Sequence, residues 1–345
     1  RTASVDLVMT GADELITAPD GIDLEVAQEM LRKSKKGKLP IVNDQFELVS
    51  LIARTDIKKT RDYPLATKSK KDQNLCCAAA VPVAPSEKAR IDALVAADVD
   101  ILVLDAKQGD SEEQVALVQY IRSKYGESVD IIGGNVVTVS QVRRLIDAGI
   151  DGIRVGMGSG AISTSQIVKA VGRAQLSAVY FTAMIAREHG IPVIADGGVA
   201  STGGATKAIA IGASCVMMGS LLAGSKEAPG DYFFQNGTRL KKYRGMHSVS
   251  VVQAKAHLMD RGEVMQTFSH GVSGAVVDKG SVSRYVPYLA QSMRHGFQDV
   301  GARSIAQMHE QLVEEKLRFE IRSQAAQKEG GVHDLFSYKR RLFTS

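Results

Sequence analysis

The chain has 345 residues, 44% of them hydrophobic and 23% charged, which is enough to bury a large core and to form one large domain with a small companion. The net charge of +5 suits a phosphate-bearing ligand. The surplus is widely spread, however, and its densest runs, Lys33–Lys36 and Lys68–Lys71, carry no interleaved aromatic residues, which argues against a nucleic-acid surface. No apolar span of about 18 residues and no signal peptide is visible, so the expectation is a cytoplasmic protein without a membrane partner. Cys76, Cys77 and Cys215 lie in apolar strand-like runs and are expected as reduced core residues.

Residues 1–63 read as a small α/β segment. Val26, Met30 and Leu31 form a helical stripe, and Lys38–Val42 and Glu47–Ala53 read as strands joined by a turn at Asn43. This order resembles one cystathionine-β-synthase (CBS) repeat, a family in which the aspartate at the Asp56 position often holds a nucleotide ribose. Such repeats work in pairs and no second copy follows, so the segment reads either as an adenine-nucleotide half-site or as a packing element.

From residue 64 to 345 the pattern is a strict alternation of strands and helices. Six apolar runs are expected as strands: Leu75–Val81, Asp100–Asp105, Val129–Asn135, Asp151–Gly156, Ile191–Asp196 and Ala213–Gly219. They are apolar throughout rather than alternating, as strands covered on both faces must be, and helical patterns such as Glu87–Ala97 and Val139–Ala148 separate them. Parallel βα units at this spacing predict a TIM (β/α)8-type barrel with six of its eight units present. Several strands end in residues suited to a site: Asp105, Gly133-Gly-Asn135, Asp196-Gly-Gly198 and Gly219-Ser220. Loops after the last barrel strands commonly cradle phosphate on backbone N–H groups, so Gly197, Gly198, Gly219 and Ser220 are the expected phosphate residues. The fourth strand runs into the glycine-dense loop Arg154–Gln166, which ends in the hydroxyl residues Ser163, Thr164 and Ser165.

Arg154-Val-Gly-Met-Gly-Ser-Gly160, Gly133-Gly-Asn-Val-Val137, Ala195-Asp-Gly-Gly198, Val216-Met-Met-Gly-Ser-Leu-Leu222, Leu240-Lys-Lys-Tyr-Arg-Gly-Met246, Gly271-Val-Ser-Gly-Ala-Val276 and Glu329-Gly-Gly-Val-His333 together resemble the inosine-5′-monophosphate (IMP) dehydrogenases of eukaryotic type, within the IMP dehydrogenase / GMP reductase family. The resemblance implies NAD-dependent oxidation of IMP to xanthosine 5′-monophosphate, a potassium ion, and homotetramers. That family inserts its CBS pair after the second βα unit, so this sequence is expected to begin inside the insert. By position, Asp196 would take the ribose hydroxyls, Gly198, Gly219 and Ser220 the phosphate, and Tyr243, Gly245 and Met246 the nucleotide. Asp105, Gly156, Met157 and Gly158 would fall on the NAD side. Gly158, Gly160 and the residue-163 position would ligate the cation, with Glu329, Gly330 and Gly331 lent by a neighbouring subunit.

The departures from the family gather in the chemistry. The family's cysteine adds to the purine C2, hydride leaves to NAD, and a mobile flap then brings an Arg-Tyr pair to activate the hydrolytic water. Here Ser163 stands at the cysteine position, Ser165 at a threonine and Ala161 at a phosphate-facing serine. In the flap, about 247–270, counting forward from Met246 puts Arg261 at the arginine position but Gly262 at the tyrosine's. His247 replaces a glycine, His270 a purine-reading glutamine, and Ala106 and Lys107 two serines. A serine hydroxyl needs an adjacent base to attack, whereas a thiol is partly ionised near neutrality. Three readings stay open: an impaired IMP dehydrogenase, a weak or inactive nucleotide-binding relative that acts by assembly, and a GMP reductase.

Overall fold

The computed structural model describes residues 4–64, 66–69, 74–106, 108–245, 271–338 and 343. The chain divides into two compact units, Arg1–Cys76 and Cys77–Ser345, so the stretch from 64 to Cys76 groups with the first unit.

In the first unit, β1 (Ala18–Pro19) pairs in parallel with β2 (Lys38–Val42), which pairs antiparallel with β3 (Leu48–Ala53). Helix α1 (Leu24–Ser34) starts where the Asp23 carboxylate accepts the Glu25 N–H at 2.7 Å. It buries Ala27 and Leu31 against Ala18, Leu39 and Ile41. Met30 and Leu31 of the predicted stripe pack on this core, whereas Val26 is exposed and its neighbour Ala27 takes the buried place. In α2 (Arg54–Asp62) the Asp56 carboxylate accepts the Ala53 N–H at 3.2 Å and pairs with Lys59 at 3.4 Å.

The second unit alternates β4 (Ala78–Pro82), α3 (Lys88–Ala96), β5 (Ile101–Asp105), α4 (Glu112–Tyr125), β6 (Asp130–Val136), α5 (Val139–Ala148), β7 (Gly152–Val155), α6 (Ser165–Lys169), α7 (Gln175–Glu188), β8 (Val193–Asp196), α8 (Thr202–Ala210), β9 (Cys215–Met217) and α9 (Ser220–Ala223). The six strands form one sheet in sequence order, every pair parallel. This is the curled sheet of a TIM-type barrel over six βα units. Leu102, Leu104, Ile131, Ile153, Val155 and Ala195 are fully buried in it, covered by Val118 and Ile121 of α4, Val142 and Leu145 of α5 and Val179 of α7. Cys77 and Cys215 are exposed, contrary to the core placement expected of them, because they lie at the first and last strands of this sheet.

A second sheet was not legible as strands. β10 (Tyr232–Gln235), β11 (Thr238–Arg244) and β12 (Ser273–Val277) pair antiparallel in that order. The β10–β11 turn is Asn236-Gly237 with both residues at positive φ, the commonest short hairpin signal. Helices α10 (Val282–Val300), α11 (Ile305–Val313) and α12 (Gln324–Glu329) follow. Met308 of α11 is buried with Ile209, Ala210 and Ala302. Among the described residues no helix is long and apolar enough to cross a membrane.

One arginine fastens the amino-terminal ends of the middle strands. Arg122 donates from Nε to Gly149 O at 2.6 Å and from Nη1 to Gly126 O at 2.9 Å and Val129 O at 3.0 Å, and its Nη2 pairs with Asp151. It joins the ends of α4 and α5 to the starts of β6 and β7, and its side chain is only 19% exposed. Arg122→Met strands several carbonyls and a carboxylate, and should lower the unfolding free energy by about 3 kcal/mol in urea denaturation; an unchanged midpoint would contradict this account of the strand starts.

Candidate active site

At the other end of the sheet four polar side chains converge. Arg154, in the otherwise apolar β7, reaches Asp196 Oδ2 at the end of β8 with Nη2 at 3.0 Å. Its Nη1 reaches Asp105 Oδ1 at the end of β5 at 3.4 Å. Asn135 of β6 donates from Nδ2 to the same Asp196 oxygen and to Gly156 O, both at 2.9 Å. The Arg154 side chain is 12% exposed and its two carboxylate partners 54% and 22%, so the cation is buried while the anions open towards solvent. A buried charge is stable only when paired and hydrogen-bonded, and two carboxylates on one guanidinium meet that need. Among the described residues, Arg154 Nε and Asn135 Oδ1 are buried without a hydrogen-bond partner.

Asn135 is itself set by a buried amide. Gln114 of α4 accepts the Gly134 N–H through Oε1 and donates to Gly134 O through Nε2, each at 2.9 Å. The sequence singles out Asp105, Asn135 and Asp196 as polar ends of apolar strands, but gives neither Arg154 nor Gln114 a place in the site. The available signal was the single charge inside the apolar strand Gly152–Val155.

The glycine loop after β7 packs directly on the end of β8. Gly156 has φ of +147°, and a Cβ there would lie 1.9 Å from Asp196 O, so only glycine fits. Ser159 Oγ donates to Gln175 Oε1 at 3.1 Å and to Asp196 O at 3.4 Å, tying the loop to α7 and β8. Gly197 and Gly198, both at positive φ, continue from Asp196 beneath this loop, their Cβ directions meeting Ser159 and Gln175. Gly219 and Ser220 open α9, and Tyr243 of β11 comes to them: a Cβ on Gly219 would stand 2.9 Å from its hydroxyl. Burial pushes the pKa of the Tyr243 phenol above its ordinary value, so the hydroxyl keeps its proton and can donate a hydrogen bond at neutral pH. Met157 packs its side chain on the core.

Ser163 lies where the loop meets the chain on either side of residues 246–270. It bridges Gly271 antiparallel; the Val272 N–H donates to Ile162 O at 3.0 Å, and the Gly245 N–H to Val272 O at 3.1 Å. The structure therefore brings Ser163 together with Gly245 and, through β11, with Tyr243. Ser163 Oγ is 3.1 Å from Ser165 Oγ and accepts the Ser165 N–H at 3.3 Å. Among the described residues no histidine or carboxylate hydrogen-bonds Ser163. Ala161 is exposed beside it. Met246, His247, Arg261 and His270 lie outside the described residues.

The residues expected at a cation are partly engaged. Gly158 O accepts from Gln166 Nε2 at 2.8 Å and Gly160 O from the Ser163 N–H at 3.0 Å, leaving each carbonyl a second lone pair. Glu329, Gly330 and Gly331 close α12, where the two glycine N–H groups bond Ala326 O and Lys328 O at 3.0 Å. No cluster of three His, Cys, Asp or Glu suited to a metal occurs among the described residues.

A curled parallel sheet with its polar cluster at the carboxyl ends of the strands defines a TIM-barrel protein of the kind that keeps its chemistry there. The IMP dehydrogenase / GMP reductase domain profile matches residues 23–333, and the chain belongs to that family. It is 46% identical to the inosine-5′-monophosphate dehydrogenase of Toxoplasma gondii, over 97% of this chain and 70% of that protein. Against those of Caenorhabditis elegans and Schizosaccharomyces pombe the identity is 44% and 42%, over 99% and 97% of this chain and 65% of each relative. The chain thus spans 65–70% of the length of these relatives. Among solved structures it resembles GMP reductase from Trypanosoma brucei in complex with guanosine 5′-monophosphate, with a TM-score of 0.86 and 34% identity over 96% of this chain and 67% of that one.

The Gly156 contact gives a direct test of how the loop is seated. Gly156→Ala should destabilise the second unit by about 2 kcal/mol or more, since the strained φ and the clash with Asp196 O add. It should also lower binding of any ligand that uses Asp196. A variant with unchanged melting and unchanged binding would show that the loop does not rest on β8.

Proposed function

We propose that this chain carries the IMP seat of an NAD-dependent IMP dehydrogenase in which the reactive group has been replaced, so that nucleotide binding persists and turnover is slight. The observation that carries the reading is the polar cluster Asp105–Asn135–Arg154–Asp196 at the carboxyl ends of β5 to β8, with Gly197 and Gly198 directly following Asp196. The identity of 42–46% to curated IMP dehydrogenases over nearly the whole chain supports it.

In this reading Asp196, its inner oxygen held by Asn135 and Arg154, offers its other oxygen to the ribose diol. The amides of Gly197, Gly198, Gly219 and Ser220 take the phosphate, and Tyr243 adds a hydroxyl on the same side. The exposed Asp105 carboxylate would meet the polar end of a nicotinamide nucleotide. When bound, NAD supplies a hydride acceptor. The chain's own part is to hold the purine edge towards residue 163. A potassium ion would sit on the free lone pairs of Gly158 and Gly160, with Glu329–Gly331 coming from another copy in a homotetramer. The cytoplasm is the compartment such an enzyme would occupy.

Ser163 sets the limit on rate. Its hydroxyl is paired with Ser165 rather than with a base, and a neutral hydroxyl is a poor nucleophile. Removing a covalent nucleophile has cost on the order of 10⁶ in rate in another enzyme. The second reading is GMP reductase, favoured by the structural likeness to one in complex with guanosine 5′-monophosphate. A third is a nucleotide-binding relative acting only through assembly.

Ser163→Cys separates these. With IMP and NAD it should raise NADH formation at least about 100-fold if the nucleophile is the principal loss. A flat result would place the defect in the flap and cofactor side as well. NADPH-dependent conversion of GMP by the same variant would favour the reductase.

A further inference from the structure

Lys241 is a lysine buried to 1% exposure, yet among the described residues no carboxylate pairs with it. Its Nζ donates to the backbone carbonyls of Ser225 at 2.6 Å and Lys226 at 3.2 Å, and to that of Ala228. An ammonium has three N–H donors, and here three carbonyl oxygens of one turn converge on them. The Tyr232 ring lies 4.7 Å from Nζ. Burying an ammonium costs several kcal/mol unless every donor is satisfied, so a lysine at this place is retained for what it holds.

What it holds is the turn after α9. Gly224–Gly230 carries straight on from Gly219–Ala223 and is fastened at two sides. On one side Lys241 pegs it to β11. On the other the Lys226 N–H donates to Gly280 O at 2.8 Å, and the Lys279 N–H to Gly224 O at 2.9 Å. Glu227 accepts from Ser281 Oγ at 2.5 Å and from the Val282 N–H at 3.0 Å. A cavity of about 600 Å³ separates α9 and this turn from β11, lined in part by Gly219, Leu222, Glu227, Pro229 and Tyr243. Around this cavity the stretch touches β11 at Gly219, against the Tyr243 hydroxyl, and at Gly230, against the Lys242 carbonyl; between those points Lys241 ties it down. Lys241 and Tyr243 are two residues apart on β11 and so share a face, and the Tyr243 hydroxyl ends beside Gly219.

We propose that Lys241 is a positioning residue for the phosphate end of the nucleotide seat: by clamping the 225–228 carbonyls to β11 it sets how Gly219 and Ser220 stand relative to Tyr243. This rests on the reading that Gly219 and Ser220 take the phosphate. Lys241→Met keeps the apolar stem but leaves three carbonyls without their donor.

The test compares IMP with inosine, which lacks the phosphate, by calorimetry on the full chain and on Lys241→Met. IMP binding should weaken about 10-fold while inosine binding is unchanged, so the gain contributed by the phosphate shrinks. Equal weakening of both, or of neither, overturns the proposal. Hydrogen exchange supplies a readout that needs no ligand: amides of 222–230 should lose protection in Lys241→Met while β4–β9 keep theirs, and unchanged protection in 222–230 also overturns it. If the unaltered chain binds neither ligand, the IMP reading fails, and exchange alone decides whether Lys241 holds the turn. Should Lys241→Met not fold, Glu227→Gln loosens the same turn from its other tether and should lower IMP binding but not inosine binding.

Discussion

Arg154 carries its guanidinium inside a parallel strand that is otherwise apolar, and everything at the carboxyl end of the sheet is arranged to accommodate it. The charge needs anions, so β5 and β8 end in Asp105 and Asp196. Asp196 in turn takes Asn135, whose strand is fixed by the buried Gln114 amide. The loop that follows Arg154 must then turn immediately over the end of β8, which is why Gly156 admits no side chain. One buried cation thus fixes the relative placement of four strand ends, and with them the loop that presents Ser163.

A second buried cation does comparable work at the far side of the seat. Lys241 gathers backbone carbonyls where Arg154 gathers carboxylates, and each joins elements distant in sequence. Between them the sheet and the β10–β12 hairpin frame the glycines expected to receive a phosphate. Ser163 is tied into this frame by its bridge to Gly271 and its hydrogen bond with Ser165.

The barrel was legible because strands buried on both faces must be apolar throughout, and the six runs became the six strands of one sheet in the order read. Asp105 and Asp196 were legible as polar residues ending such runs. Their union through Arg154 was not, since it spans 49 and 42 residues and depends on neighbouring strands lying in register. The β10–β11 hairpin escaped notice although Asn236-Gly237 announced it, because its strands are short and only partly buried. Val26 and Cys215 misled for the same reason in reverse: an apolar residue says nothing of which neighbours arrive to cover it.

Calorimetric titration of IMP into the unaltered chain, with Asp196→Ala as its control, decides whether the polar cluster at the strand ends is a nucleotide seat. Dissociation in the micromolar range is expected for the unaltered chain, and a loss of at least about 10-fold in the control. Absence of binding, or binding indifferent to Asp196, would contradict that reading.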